Sequence, residues 1–171
     1  FLLLAVTTLA YLGAVGAGFV WDDFPLVVDN PKAQSFDQWR LWFTEDLWSL
    51  GADSVQSGFY RPLVLASFAL DHALWGENPA GFHLHSLMWH LGCVSLLFHV
   101  LNTVVERESA WVAAAIFALH PALTEAVVWV AARNDLMATA FLLGMLLALS
   151  EERVSRARLA VGCLCFFFAL L

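Results

Sequence analysis

Phe1-Leu-Leu-Leu-Ala-Val-Thr-Thr-Leu-Ala-Tyr-Leu-Gly-Ala-Val-Gly-Ala-Gly-Phe-Val20, followed at once by Trp21-Asp22-Asp23-Phe24-Pro25, decides the fold class of this 171-residue chain. The run carries no charge, and as a helix it would be about 30 Å long, the thickness of a bilayer's hydrocarbon core. Two adjacent carboxylates then stand where the chain would leave a membrane. Such a pair either ends a helix in headgroup water or forms a reactive site at the lipid boundary.

Composition points the same way. Hydrophobic residues make up 61% of the chain and charged ones 13%, about half the globular average of roughly 25%, and the mean hydropathy is +0.73. The expected fold is an all-α, polytopic membrane helix bundle. The first run has no basic segment or small-residue cleavage site before Trp21, so it is not read as a removable signal peptide. Apolar sequence at both ends suggests a piece of a longer protein, a single transmembrane region over residues 1–171. Cys93, Cys163 and Cys165 lie in apolar runs and behave as small hydrophobes.

About five spans are expected: 1–20, 82–105, 110–132 interrupted at His120-Pro121, 136–149, and a truncated run over 159–171. The polar triplet Arg133-Asn134-Asp135 reads as a turn between the third and fourth. Arg107 on one turn and Arg153, Arg156 and Arg158 on another share one side of the membrane, and the enrichment of basic residues in cytoplasmic turns assigns that side to the cytoplasm. The stretch 21–81 then faces outward. It is acidic, with Asp53 among its nine acids against Lys32, Arg40 and Arg61. This acidity, with a net charge of −7, argues against a nucleic-acid partner.

Within that loop two amphipathic helices are expected at the headgroup level. One opens on the capping box Ser35-Phe-Asp-Gln38 and places Phe36, Trp39, Trp42, Phe43 and Leu47 on one face. The other begins at Tyr60-Arg61-Pro62 and ends at Trp75-Gly76. Both could instead pack against the bundle.

The stretches Phe19-Val-Trp-Asp-Asp-Phe-Pro-Leu-Val-Val-Asp-Asn-Pro31, Tyr60-Arg-Pro-Leu63, Gly81-Phe-His-Leu-His85, Ala118-Leu-His-Pro-Ala-Leu-Thr-Glu-Ala-Val127 and Arg133-Asn-Asp-Leu136 occur in one order. Together they resemble the N-terminal part of the transmembrane and tetratricopeptide-repeat-containing O-mannosyltransferases and their bacterial relatives, of the GT-C class. His85 departs from the pattern, where many relatives would carry Asn.

The resemblance implies transfer of a sugar, mannose first, from a polyprenyl-phosphate carrier of the dolichyl type to a Ser or Thr hydroxyl of a protein. It places this at the outer or lumenal face of a bacterial inner membrane or an ER membrane. Phosphate is already a good leaving group, so the chemistry needs a base and a cation. Asp22 is the first choice for the base, with Asp23 beside it. Arg133, with Arg61 second, is the expected partner of the lipid phosphate, because a guanidinium fork matches phosphate geometry. Tyr60, His83, His120, Glu125 and Asp135 complete the expected contacts to lipid phosphate or sugar. No cofactor is expected, although adjacent carboxylates can recruit a divalent cation.

Other readings of the same residues stay open. Arg133 and Asp135 could form an exposed ion pair, or Arg133 could serve Glu125. His83 and His90 share one face of their helix, and His85 and His99 another, as haem or metal ligands would. Glu125, Arg133 and Asp135 could line a transporter's pathway within a broken helix.

Overall fold

The computed structural model describes residues 2–49, 58–151 and 154–171; Asp53 of the acidic stretch and Arg153 of the basic turn lie outside them. Among these residues every regular element is helical. The N-terminal run forms α1 (Leu2–Tyr11) and a 3-10 turn over Leu12–Gly16, after which Ala17 is extended. The helix thus stops short of Val20, because Gly13, Gly16 and Gly18 weaken its second half. Leu2–Gly16 is apolar but shorter than the roughly 20 residues a span requires.

The chain turns at Trp21, whose φ of 47° is the only positive value outside glycine among the described residues. Phe24–Val28 then forms one π turn. α2 (Pro31–Gln34) and α3 (Trp39–Thr44) follow. The Ser35 hydroxyl accepts from the Asp37 amide, as a cap should, but the helix beyond it is a single short one. Its aromatic residues divide accordingly. Trp42 is buried and donates its indole N–H to the Lys32 carbonyl at 2.7 Å, whereas Phe36, Trp39 and Phe43 are exposed.

α4 (Pro62–Trp75) has the expected bounds, opening on proline and ending at Gly76 with φ 60°, a conformation that favours glycine. It does not lie apart from the bundle: Val64, Leu65, Phe68 and Ala69 are all buried. Asn78 caps α5 (Pro79–Leu101) by accepting from the Ala80 amide at 3.1 Å. Gly81 lets the two helices close up, since a Cβ there would sit 2.3 Å from the Trp75 ring.

α5 is the central element, packing against α1, α4 and the three helices that follow it in sequence. α6 (Arg107–Leu119) ends at the predicted His120-Pro121 break, and α7 (Thr124–Val128) continues at a 52° bend. At the break the Ala122 amide donates to His120 Nδ1. The Ala118 carbonyl is taken instead by His90 Nε2 of α5, at 3.0 Å and fully buried.

A 3-10 turn, Val130–Ala132, leads directly into α8 (Arg133–Leu149). Arg133, Asn134 and Asp135 are therefore the first turn of a helix, not a loop between spans. α9 (Arg156–Ala169) packs along α8, and Arg158 donates to the Ala148 and Leu147 carbonyls and pairs with Glu151, neutralising the carboxyl end of α8. Two helices, Pro79–Leu101 and Val130–Leu149, are long and apolar enough to cross a membrane, three if the bent pair counts as one span.

Candidate active site

The two aspartates diverge. Asp23 is fully buried, its carboxylate accepting from the Val20 amide at 3.0 Å and from the Ala131 amide at 2.8 Å. Burial pushes its carboxyl above the ordinary value, an effect the two amides partly offset. Asp22 is half-buried and opens into a cleft of about 240 Å³.

The cleft gathers Asp22, Arg61, Glu125 and Asp135 from four separate segments. Its walls are aromatic and small: Trp48, Phe59 and Trp129, with Phe68, Ala131 and Ala132 at the back. Arg61 stands at the start of α4, its guanidinium 5.9 Å from the centre of the Phe59 ring. Asp135 accepts from the Asn134 amide group at 2.7 Å. Trp21 is 82% exposed and meets Trp129 edge-on, with ring centres 6.3 Å apart. Ligand pockets usually enclose about 300–1,000 Å³, and this cleft lies just below that range. Carboxylates here can accept protons or hydroxyl hydrogen bonds, Arg61 can hold an anion, and the indoles offer flat apolar faces.

Arg133, expected at the lipid phosphate, is elsewhere. It is fully buried, and its Nη1 lies 2.5 Å from Asp71 Oδ2 of α4. Its remaining donors reach the Ser86 and Ser67 hydroxyls, both at 3.1 Å, and the Phe82 carbonyl at 2.8 Å. A guanidinium so occupied has no face for a ligand, and neither Asp135 nor Glu125 is its partner. Arg61 is the cation the cleft does contain.

His83 is buried beside Asp23 and the backbone of Gly18 and Val128, outside the cleft. Tyr60 is exposed but does not line the cleft, and His120 serves the helix break. Among the described residues no three His, Cys, Asp or Glu side chains converge as metal ligands. Sequence reading passed over Asp71, counting it among the loop acids. The signal is an acid inside the apolar helix Pro62–Trp75, where an unpaired charge is expensive.

Apolar spans with a carboxylate cleft beside the turn after Val20 define a helical membrane protein with a polar site. The chain is similar to enzymes named protein O-mannosyl-transferases: 38% identical over 131 residues to Tmtc2 of Drosophila melanogaster, covering 75% of this chain and 14% of that protein. TMTC1 of Mus musculus is 36% identical over 157 residues, 89% of this chain and 16% of its own. TMTC3 of Mus musculus is 28% identical over 153 residues, 89% and 17% respectively. The chain thus spans less than a fifth of the length of these relatives. No protein-family model and no solved structure matches it.

Proposed function

We propose that the full-length protein is a multi-pass GT-C glycosyltransferase that moves mannose from a polyprenyl-phosphate carrier to a Ser or Thr hydroxyl of a protein. The observation that carries this reading is the divergence of the acid pair. Asp22 faces a cleft holding a cation and aromatic walls, while Asp23 is locked to backbone amides. The names of the relatives supply the reaction class.

In this reading Asp22 accepts the acceptor hydroxyl's proton as the oxygen bonds to the anomeric carbon, and the lipid phosphate departs with the electron pair of the broken C–O bond. Arg61 neutralises that phosphate, the task first assigned to Arg133. Glu125 and Asp135 accept hydrogen bonds from sugar hydroxyls, and Trp129 supplies a stacking face. Exposed Trp21, Phe36, Trp39 and Phe43 rest at the headgroup level, where indole rings favour the interface. The acidic stretch 21–81 faces the periplasm or ER lumen, with about five crossings over the sequence.

The test is Asp22→Asn in the full-length protein, assayed with dolichyl-phosphate mannose and a Ser/Thr peptide. Transfer should fall by about a hundred- to ten-thousandfold, the usual worth of a positioned base, with membrane insertion and donor binding kept. Full activity in the variant sinks the assignment.

A further inference from the structure

The Asp71–Arg133 pair lies directly behind the cleft, and nothing in the chemistry above uses it. Burying two charges is a poor way to gain stability, because desolvation offsets most of their attraction. What this pair does provide is geometry. Arg133 joins three helices at one point: α8, on which it stands; α4, through Asp71 and Ser67; and α5, through Ser86 and the Phe82 carbonyl. Its guanidinium carbon is 4.9 Å from the centre of the Phe68 ring, and Phe68 is part of the cleft's back wall.

Two residues before Arg133 comes Ala131, whose amide donates to Asp23 at 2.8 Å. Asp23 in turn accepts from Val20, closing the turn that carries Asp22. An unbroken path of short contacts therefore runs from Asp71 through Arg133 and the Val130–Ala132 turn to the Asp23 carboxylate and its neighbour Asp22. The other Asp71 oxygen lies 2.5 Å from His85 Nδ1, so the carboxylate is held on both sides.

We propose that Asp71 and Arg133 are positioning residues: together they fix the Val130–Ala132 turn against Asp23, and thereby hold Asp22 at the reacting centre and Phe68 at the wall. The proposal rests on the reading of Asp22 as the base. Neither residue touches substrate, so loosening the pair should impair the chemical step more than donor binding. A displacement of about 1 Å at a reacting group can cost about a hundredfold in rate.

The experiment uses the full-length protein with Asp71→Asn and Arg133→Lys, the latter keeping both charges while losing the fork that reaches Ser86 and Phe82. Each should lower kcat by about 10- to 100-fold, with the KM for dolichyl-phosphate mannose little changed. Hydrogen exchange should accelerate over residues 18–24 and 129–133 while α5 keeps its protection. Wild-type kcat in either variant, with Asp22→Asn inactive, overturns positioning and leaves the base assignment standing. An active Asp22→Asn enzyme overturns the base assignment itself. Protection lost across α5 as well, or failure of both variants to fold, assigns the pair to global stability and overturns the proposal equally.

Discussion

Two sets of charged side chains lie on either side of the wall formed by Phe68, Ala131 and Ala132. In front, Asp22, Glu125 and Asp135 share the cleft with Arg61. Behind, Asp23, Asp71 and Arg133 are buried, each engaged by amides, hydroxyls or one another. The chemical inventory is the same, carboxylates and a guanidinium, yet only the front set is open to a ligand. Solvent access and prior partners separate the two roles. Neighbours in sequence fall on opposite sides: Asp22 from Asp23, and Asp135 from Arg133.

That contrast can be broken experimentally. The largest effect belongs to Asp22→Asn, where the rate should fall as given above while thermal stability in detergent stays at the wild-type value; a matching loss of stability would place Asp22 with the buried set. On the other side of the wall, Arg133→Leu leaves the buried Asp71 carboxylate with His85 but no guanidinium and should destabilise the fold by roughly 3–5 kcal/mol, measurable as a lowered unfolding midpoint. Arg61→Ala should leave that midpoint unmoved and weaken donor use by about 1.5–3 kcal/mol, the range for a hydrogen bond to a charged group; unaltered donor kinetics would leave the cleft without an assigned cation.

Asp23→Asn should be milder, replacing one acceptor by a donor that faces an amide, at about 1–3 kcal/mol. Its pH dependence has a defined sign. Folded Asp23 holds its proton more tightly than the unfolded chain does, so its contribution is fully present below the ordinary carboxylate value and is lost as pH rises through the raised one. The stability gap between wild type and Asp23→Asn should therefore narrow across that window; a gap that widens would contradict the burial of this carboxyl. Smallest, Asn78→Ala removes a cap whose side chain touches neither set and should lower stability by about 1 kcal/mol with transfer unchanged.

Local chemistry made part of this legible. Tyr60-Arg61-Pro62 and Trp75-Gly76 marked the ends of α4, and His120-Pro121 marked the bend, because proline and glycine act on their own backbone. Asp22 stood out by following an apolar run. The Arg133 triplet misled because polarity alone cannot distinguish a solvated turn from a helix start whose arginine is paired in the core. Its partner Asp71 sits on a different helix, and no local pattern encodes that meeting. The six-residue α3 also escaped periodicity: its aromatic spacing fits one face, but so short a helix sends Trp42 inward and leaves its neighbours out.

The bend at His120-Pro121 has a consequence for how this segment could be moved or redesigned. Within a bilayer no water is available to a carbonyl released by a helix break, so neighbouring protein must supply the donor. Here the Ala118 carbonyl receives it from His90, on another helix. The bend is therefore encoded twice, once by the proline in its own stretch of sequence and once by His90 at the midpoint of α5. Residues 107–128 grafted alone into a foreign bundle would bring the break without its donor, and a proline shifted by one position would release a carbonyl that His90 does not face. The kink is portable only as a two-helix unit.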